Sequence, residues 1–383
     1  MQTMAQWYGL KEQYADFTID QDTHARLLFA RTALHERIMR ILRRSFRTST
    51  PPKFILFGDW GVGKTHTLRH IQYVLGAEAD FPARTVFVEL PDIAKKSTFQ
   101  VAHASLLDAL GPSIVQQWVT QFQAMHAHQA PIIIQERSQS ADIAKAFATL
   151  IGYGEASRIA WDWLRGLSLS PGDARSVGLP PSLTQSQHFV SVLRVLGGLC
   201  KEIDNSALIL ILDEATKLDN VTDDDAINHW LNSFKLIASD DLREFGLIVS
   251  ASYHDPDEMP PAISDQQVQS RLGPHAFINL PRFEMPETRE FLASLLDQWI
   301  DPILSAALIG QNIGDAESES VGQYFPFTDD AFERFVEYAT MRIGGFTTPR
   351  DIQKYLDDIV NRAMDDDRHI ISSEYLENVV AEG

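Results

Sequence analysis

Two short groups of residues carry the chemistry of this chain. The first is Gly58-Asp59-Trp60-Gly61-Val62-Gly63-Lys64-Thr65, which has the spacing of a phosphate-binding loop: glycine, four residues, then Gly-Lys-Thr. Its glycines can adopt positive φ and turn successive backbone N–H groups inward around phosphate oxygens. A helix beginning at the loop adds the positive end of its dipole. Lys64 is expected to reach the β- and γ-phosphates, the Thr65 hydroxyl to ligate Mg²⁺, and His66 to complete the nucleotide-binding stretch. The second group is Asp213-Glu214, which follows a run of aliphatic residues at 207–212. Asp213 is expected to hold Mg²⁺ directly or through water. Glu214 is expected to orient and polarise a water for attack on the γ-phosphate. Alone, such a pair also reads as two acids at the edge of a strand; the phosphate loop gives it meaning.

These groups need elements to position them. Phe54-Ile55-Leu56-Phe57 reads as a buried strand feeding the loop, and Leu68, Ile71 and Leu75 after it keep helical spacing. The run at 207–212 has the length and continuous apolar character of a central parallel strand buried on both faces. Its carboxyl end is where open α/β sheets place ligands. Further strands are expected at 84–90, 245–252 and 276–280, and helices at 102–110 and 187–199. Residues 113–200 read as mainly helical, with Val115, Trp118, Val119 and Phe122 in one apolar group and Trp161, Trp163 and Leu164 in another; the tryptophans read as packing residues. A connector is expected at 166–181. Residues 1–23 read as an irregular lead-in, followed by a helix over about 23–47 and a breaker, Thr48-Ser49-Thr50-Pro51-Pro52.

The chain has 383 residues, 44% of them hydrophobic, which suits two or three globular domains rather than disorder. No apolar run approaches the length needed to cross a bilayer, and the first residues lack the features of a secretory signal. Cys200 is the sole cysteine, so no intrachain disulfide can form and a reducing cytoplasm is the expected location. The net charge of −19 argues against a surface that grips nucleic acid everywhere. The charge is uneven, however. Between His24 and Lys53 there are eight basic residues and one acid, Glu36. Arg37, Arg40, Arg44 and Arg47 recur at helical spacing and form a candidate DNA contact, the alternative being a solvated face or pairing with the acidic remainder.

In this order the features resemble the AAA+ class of P-loop ATPases, in the branch of origin-recognition proteins and transposition-regulating ATPases. The resemblance covers roughly residues 20–380. It implies an α/β fold: a central parallel sheet flanked by helices, a helical insertion at about 113–200 and a small C-terminal helical lid. The implied boundaries are 1–52 for the lead-in and basic helix, 53–284 for the ATPase core and 285–383 for the lid. By resemblance, Ser252, with Ser250 second, stands at the strand end that senses the γ-phosphate. Arg271 resembles the finger that reaches a neighbouring subunit's nucleotide, with a structural salt bridge as the rival. Guanidinium suits that role because it is always charged. Gly344-Gly345-Phe346-Thr347-Thr348-Pro349-Arg350 resembles the second sensor, with Thr348 as cap, Pro349 as first helical residue and Arg350 aimed at the γ-phosphate. Trp161-Asp162-Trp163-Leu164-Arg165-Gly166 and Ala174-Arg175-Ser176-Val177-Gly178-Leu179 resemble segments in ATP-binding proteins of BREX-type phage-defence systems. Only 33 residues follow Arg350, too few for the winged helix that usually follows the lid in origin-recognition proteins.

The expectation is an ATP- and Mg²⁺-dependent ATPase that acts as a homo-oligomer on DNA or a DNA-bound protein complex, with protein partners and no membrane association. The alternative is a nucleotide-dependent scaffold or signalling module with slow or no hydrolysis and no DNA contact. A chaperone-like remodeller lacks a pore-loop signature to support it.

Overall fold

Every residue of the strand Ala207–Asp213 is buried, as a β-branched and leucine-rich run with no polar face requires. In the computed structural model this strand, β3, lies inside a five-stranded parallel sheet. The others are β1 (Lys53–Phe57), β2 (Ala83–Glu89), β4 (Phe245–Ala251) and β5 (Phe277–Asn279), in the order β2-β3-β4-β1-β5. Register pairs Glu89 with Asp213, Leu212 with Val249 and Phe57 with Ala251, so the carboxyl ends of the strands share one edge. The structure describes residues 3–28, 30–152, 154–239, 242–312, 323–341 and 345–382. None of the described helices is long and apolar enough to cross a membrane.

The chain divides into two compact units, Arg37–Gly58 with Leu68–Asn279, and Met1–Glu36 with Asp59–Thr67 and Leu280–Gly383. The first contains the sheet and a helical run between β2 and β3. That run comprises Gln100–Leu110, Pro112–His126, Ala130–Ser138, Ala141–Leu150, Glu155–Leu164, Pro171–Val177 and Ser186–Ile203. Trp118, Phe122, Phe147, Trp161, Trp163 and Phe189 join one hydrophobic core with the sheet residues, so the tryptophans are packing residues as their periodicity predicts. Two polar groups, buried His103 and partly exposed Asp204, pin the run in place. His103 meets the Leu164 carbonyl through Nε2 at 2.7 Å, and Asp204 accepts from both Arg84 Nε and Trp118 Nε1 at 3.0 Å. The expected connector at 166–181 is not wholly irregular: Ser170 caps a short helix, Pro171–Val177, which Gly178 ends in a left-handed conformation.

The second unit is helical, with its own core. Phe291, Leu295, Trp299, Phe332, Phe335 and Leu356 come from the helices Met285–Trp299, Asp329–Met341 and Pro349–Asp365. The N-terminal residues are part of it. From residue 3 the expected irregular lead-in is in part ordered structure: Met4–Tyr8 is a helix with a Thr3/Gln6 capping box, Tyr8 Oη donates to the Val360 carbonyl at 2.8 Å, and Tyr14 stacks on Trp299 at 4.4 Å. The basic helix is shorter than its periodicity predicts, spanning Thr32–Arg47. Residues 21–26 are turns, and Ala30 sits at φ 49°, which breaks helical continuity.

Candidate nucleotide-binding site

β1 ends at Phe57, and the phosphate-loop residues lead directly into the helix Lys64–Ala77. Gly58, Gly61 and Gly63 have φ of 154°, 84° and 90°. Such conformations are costly for residues with a Cβ, so the glycines stand where the backbone has to curl. At Gly61 space is also tight: a Cβ would come 3.0 Å from Thr348 Oγ1 and 3.3 Å from Arg350 Cβ. A parallel sheet ordered β2-β3-β4-β1-β5, with this loop between β1 and a helix and the paired acids at the end of β3, fixes the architecture. The fold is that of an AAA+ P-loop NTPase.

The loop is held from several sides. Lys64 is buried, and its ammonium donates to the Asp59 carbonyl at 2.7 Å, across the concavity of its own loop. Thr67 Oγ1 donates to the Gly63 carbonyl at 2.9 Å. Asp59 pairs with Arg282 at 2.5 Å. Arg31 donates to the carbonyls of Val62 and Pro281 at 2.9 and 3.0 Å and lies 4.6 Å from the centre of the Phe283 ring. Burial pulls its pKa down to about 10, still far above neutrality, so it remains a cation beneath the loop. Sequence reading missed Arg31 as a loop support, because it counts equally well as one more member of the basic segment. Thr65 stands partly exposed in the first turn of the helix. His66 is turned away from open solvent, with Nε2 2.6 Å from the Leu27 carbonyl, and burial lowers its pKa.

Arg350 and the loop belong to the same unit. Thr348 caps the helix Pro349–Asp365 by accepting from the Asp351 N–H, and Pro349 takes the first turn, as the sequence predicts. The Arg350 guanidinium lies 4.9 Å from the centre of the Trp60 ring, which is 65% exposed. Phe283 and Thr347 exchange backbone hydrogen bonds at 2.8 and 2.9 Å, fixing the segment before the cap. Gly344, at the start of the sensor-like sequence, lies outside the described residues.

At the end of β3, Asp213 is 2% exposed. Its Oδ1 accepts from the Glu214 N–H at 2.9 Å and from the Ser250 hydroxyl in a short contact. Ser250 Oγ also accepts from the Glu214 N–H at 3.3 Å. Of the two serines considered, Ser250 therefore reaches Asp213. Ser252, just beyond β4, donates its backbone N–H to Thr216 Oγ1 at 2.7 Å. Glu214 occupies the left-handed region, φ 58° and ψ 38°, where the chain leaves the strand for the 3₁₀ turn Ala215–Asn220. Its carboxylate pairs with Lys217 at 2.9 Å. Lys217 is a further residue missed from sequence. Its position three residues after Glu214 was the available signal.

Arg271 stands elsewhere in the sheet-bearing unit, on the helix Gln266–Leu272, and donates to the Lys235 carbonyl in a short contact. It is exposed and lines a cleft of about 630 Å³ with Gln187, Asn228, Asn232 and Gln267. Lys235 itself pairs with Asp265 at 3.3 Å. Along the basic helix, Ile38, Met39 and Leu42 are buried, whereas Arg40, Arg43, Arg44 and Arg47 are exposed. Arg37 departs from that exposed row: it is half-buried and donates to the Phe277 carbonyl at 3.2 Å.

No family model and no curated protein matches this chain. Solved structures do resemble it. The Aeropyrum pernix ORC2 protein in its ADP form is 14% identical, with 100% of this chain and 73% of that one covered and a TM-score of 0.49. The Aeropyrum pernix ORC1 protein in complex with DNA is 13% identical over 93% of this chain, with a TM-score of 0.47; this chain spans 66% of its length, just under two thirds. The Thermotoga maritima RuvB Holliday junction branch migration motor is 12% identical, covering 92% of this chain and 69% of that one, at a TM-score of 0.41.

Proposed function

We propose that this chain binds and hydrolyses Mg²⁺-ATP and works as an AAA+ switch or motor of the origin-recognition-like branch, assembled as an oligomer and acting on DNA or a DNA-bound protein complex. The observation that carries the reading is the loop 58–65, whose three glycines take positive φ between a central strand and the helix that begins at Lys64. Lys64 leaves the Asp59 carbonyl for the β- and γ-phosphates. By residue type, Thr65 and Asp213 would be the ligands offered to Mg²⁺. Glu214 accepts the proton of the attacking water. Ser250 or Ser252 senses the γ-phosphate, Arg350 exchanges the Trp60 face for it, and Arg271 serves a neighbouring subunit's site. Residues 53–284 act as the ATPase core and 285–383 as the lid, in a reducing cytoplasm.

Two variants test the core of this reading. Lys64→Ala should weaken binding of a fluorescent ATP analogue by about tenfold or more, the value of one charge-assisted hydrogen bond. Glu214→Gln should bind it normally and lose about a hundredfold or more of phosphate release, the scale of general-base catalysis. Full turnover by Glu214→Gln would remove the catalytic assignment.

A second reading, a nucleotide-dependent scaffold with slow turnover, is favoured by the Lys217 ammonium bound to the carboxylate that should serve as base. Involvement in phage defence is a finer proposal. It rests on the sequence at 161–166 and 174–179, and a loss of phage resistance on deleting the gene would test it.

A further inference from the structure

The helix Asp224–Ala238 turns one face toward the cleft of about 630 Å³, which residues 185–187 and the helix Gln266–Leu272 also bound. Five of the eleven residues lining it carry a carboxamide: Gln185, Gln187, Asn228, Asn232 and Gln267. Among the described residues, none of these five side chains is hydrogen-bonded within the chain. Each offers two N–H donors and a carbonyl acceptor. The surroundings are fixed before anything binds. The Ser186 hydroxyl donates to the His229 carbonyl at 3.0 Å, Lys235 pairs with Asp265 at 3.3 Å, and Arg271 donates to the Lys235 carbonyl. A preformed surface loses less entropy on binding than one that must be ordered.

A carboxamide has the same donor and acceptor as a peptide group, so a row of them suits a ligand that repeats that group. Asn228 and Asn232 are exposed one turn apart, a rise of about 6 Å. Alternate residues of an extended chain are about 6.6–6.8 Å apart, a close match. From Asp225 to Lys235 the helix axis covers about 15 Å, the span of four or five extended residues. Asp225 stands at one end of this stretch, and Arg271 is bonded at the other. Lys235 is taken by Asp265, which leaves Arg271 as the lining cation with no carboxylate partner among the described residues. A nucleic-acid strand fits less well. The lining has no Phe, Tyr or Trp for a base to stack on, and Asp225 offsets Arg271, so phosphates gain little there.

We propose that this cleft is a docking site for an extended segment of a partner protein, held through its main chain by the carboxamides and through an acidic side chain by Arg271. The site goes beyond the proposed ATPase activity and does not depend on it; the two share Arg271 alone.

A displayed library of random linear peptides of about seven residues, long enough to overrun the cleft, tests this by selection against the full chain without nucleotide. Enriched peptides should share an Asp or Glu at one position, and selection against Arg271→Gln should lose that preference. A fluorescein-labelled representative should bind saturably by fluorescence anisotropy. Asn228→Ala/Asn232→Ala should weaken it by about tenfold or more, the scale of two main-chain hydrogen bonds, with an unchanged circular dichroism spectrum because both side chains are exposed. N-methylation of the peptide at alternate nitrogens should weaken binding similarly in at least one of the two registers, since it deletes main-chain donors and spares the side chains. No enrichment over an unrelated protein, binding that survives Asn228→Ala/Asn232→Ala, or indifference to N-methylation in both registers would overturn the docking site. So would oligothymidylate binding that this double variant abolishes, which makes the cleft a nucleic-acid site. Loss of self-association by the double variant in sedimentation velocity would overturn it too, by making the occupant a second copy. Peptide binding is read without ATP, so its failure leaves the ATPase assignment standing, and an active Glu214→Gln leaves the docking site standing.

Discussion

His103 shows how one residue makes stability depend on pH. It is fully buried; Nε2 meets the Leu164 carbonyl, while Nδ1 has no hydrogen-bond partner among the described residues. Protonating Nδ1 would place an uncompensated N–H in the core, and burial lowers the histidine pKa from 6.5 to about 4. The folded value lies below the unfolded one. The associated stability is therefore complete above about pH 6.5 and is lost progressively as pH falls toward about 4, because the unfolded chain binds a proton that the folded chain refuses. The slope contribution is about 1.4 kcal/mol per pH unit in that window. Urea unfolding at pH 7.5 and pH 5 should show less difference for His103→Gln than for the parent, by about 2 kcal/mol. Equal differences would mean that His103 titrates normally in the folded state. His126 is of another kind: it faces Glu202 at 3.0 Å and is partly exposed.

At the scale of elements, the basic helix Thr32–Arg47 is divided by its own periodicity. Ile38, Met39 and Leu42 anchor it, Arg37 is bound to the β5 backbone, and Arg40, Arg44 and Arg47 remain on the exposed face. Any phosphate contact made by this face would fall to the last three. Reversing them together, Arg40→Glu/Arg44→Glu/Arg47→Glu, should weaken duplex-DNA binding and reduce the salt slope by about one for each phosphate no longer neutralised. Filter binding across a salt series with ATP present checks this, and circular dichroism should be unchanged because the anchoring face is intact. An unaltered slope would place any DNA contact elsewhere. The same division explains why charge spacing alone over-counted the face: four arginines have the right period, but one is close enough to an edge strand to donate to its carbonyl.

For the whole molecule, the relevant question is whether one chain makes a complete site. Arg271 is exposed on a cleft in the sheet-bearing unit and bonded to a backbone carbonyl, which leaves most of its donor fork available. If it acts on a neighbour, Arg271→Ala and Lys64→Ala should each be nearly inactive, yet a mixture should recover activity. The first supplies an intact phosphate loop and the second an intact guanidinium. Recovered phosphate release should rise with total protein concentration. Mixtures no more active than the sum of their parts would confine Arg271 to its own chain. The net charge of −19 sets the background: away from residues 24–53 the chain repels polyanions, so any DNA contact has to be local and strongly salt-dependent.

The fold class was legible in the sequence because its signals are local. Glycines at fixed spacing, an aliphatic run of strand length ending in two acids, and a Thr-Pro pair opening a helix each express a short-range rule. They appear as the positive φ values at Gly58, Gly61 and Gly63, the fully buried β3, and the cap at Thr348. Even the buried tryptophans were legible, since apolar residues at helical spacing need a core. Tertiary structure decided what depends on proximity between distant residues. Only folding brings Ser250 rather than Ser252 to Asp213, or sets Arg31 beneath Val62 and Pro281. Folding also gathers the first residues into the core of the C-terminal helices, and it sets Lys217 between Glu214 and the end of β2. The sequence specifies the groups able to handle a phosphate, because backbone geometry and spacing are written within a few residues. Which of those groups are held, paired or released is set by contacts made across the chain, where distance along the sequence no longer measures distance in space.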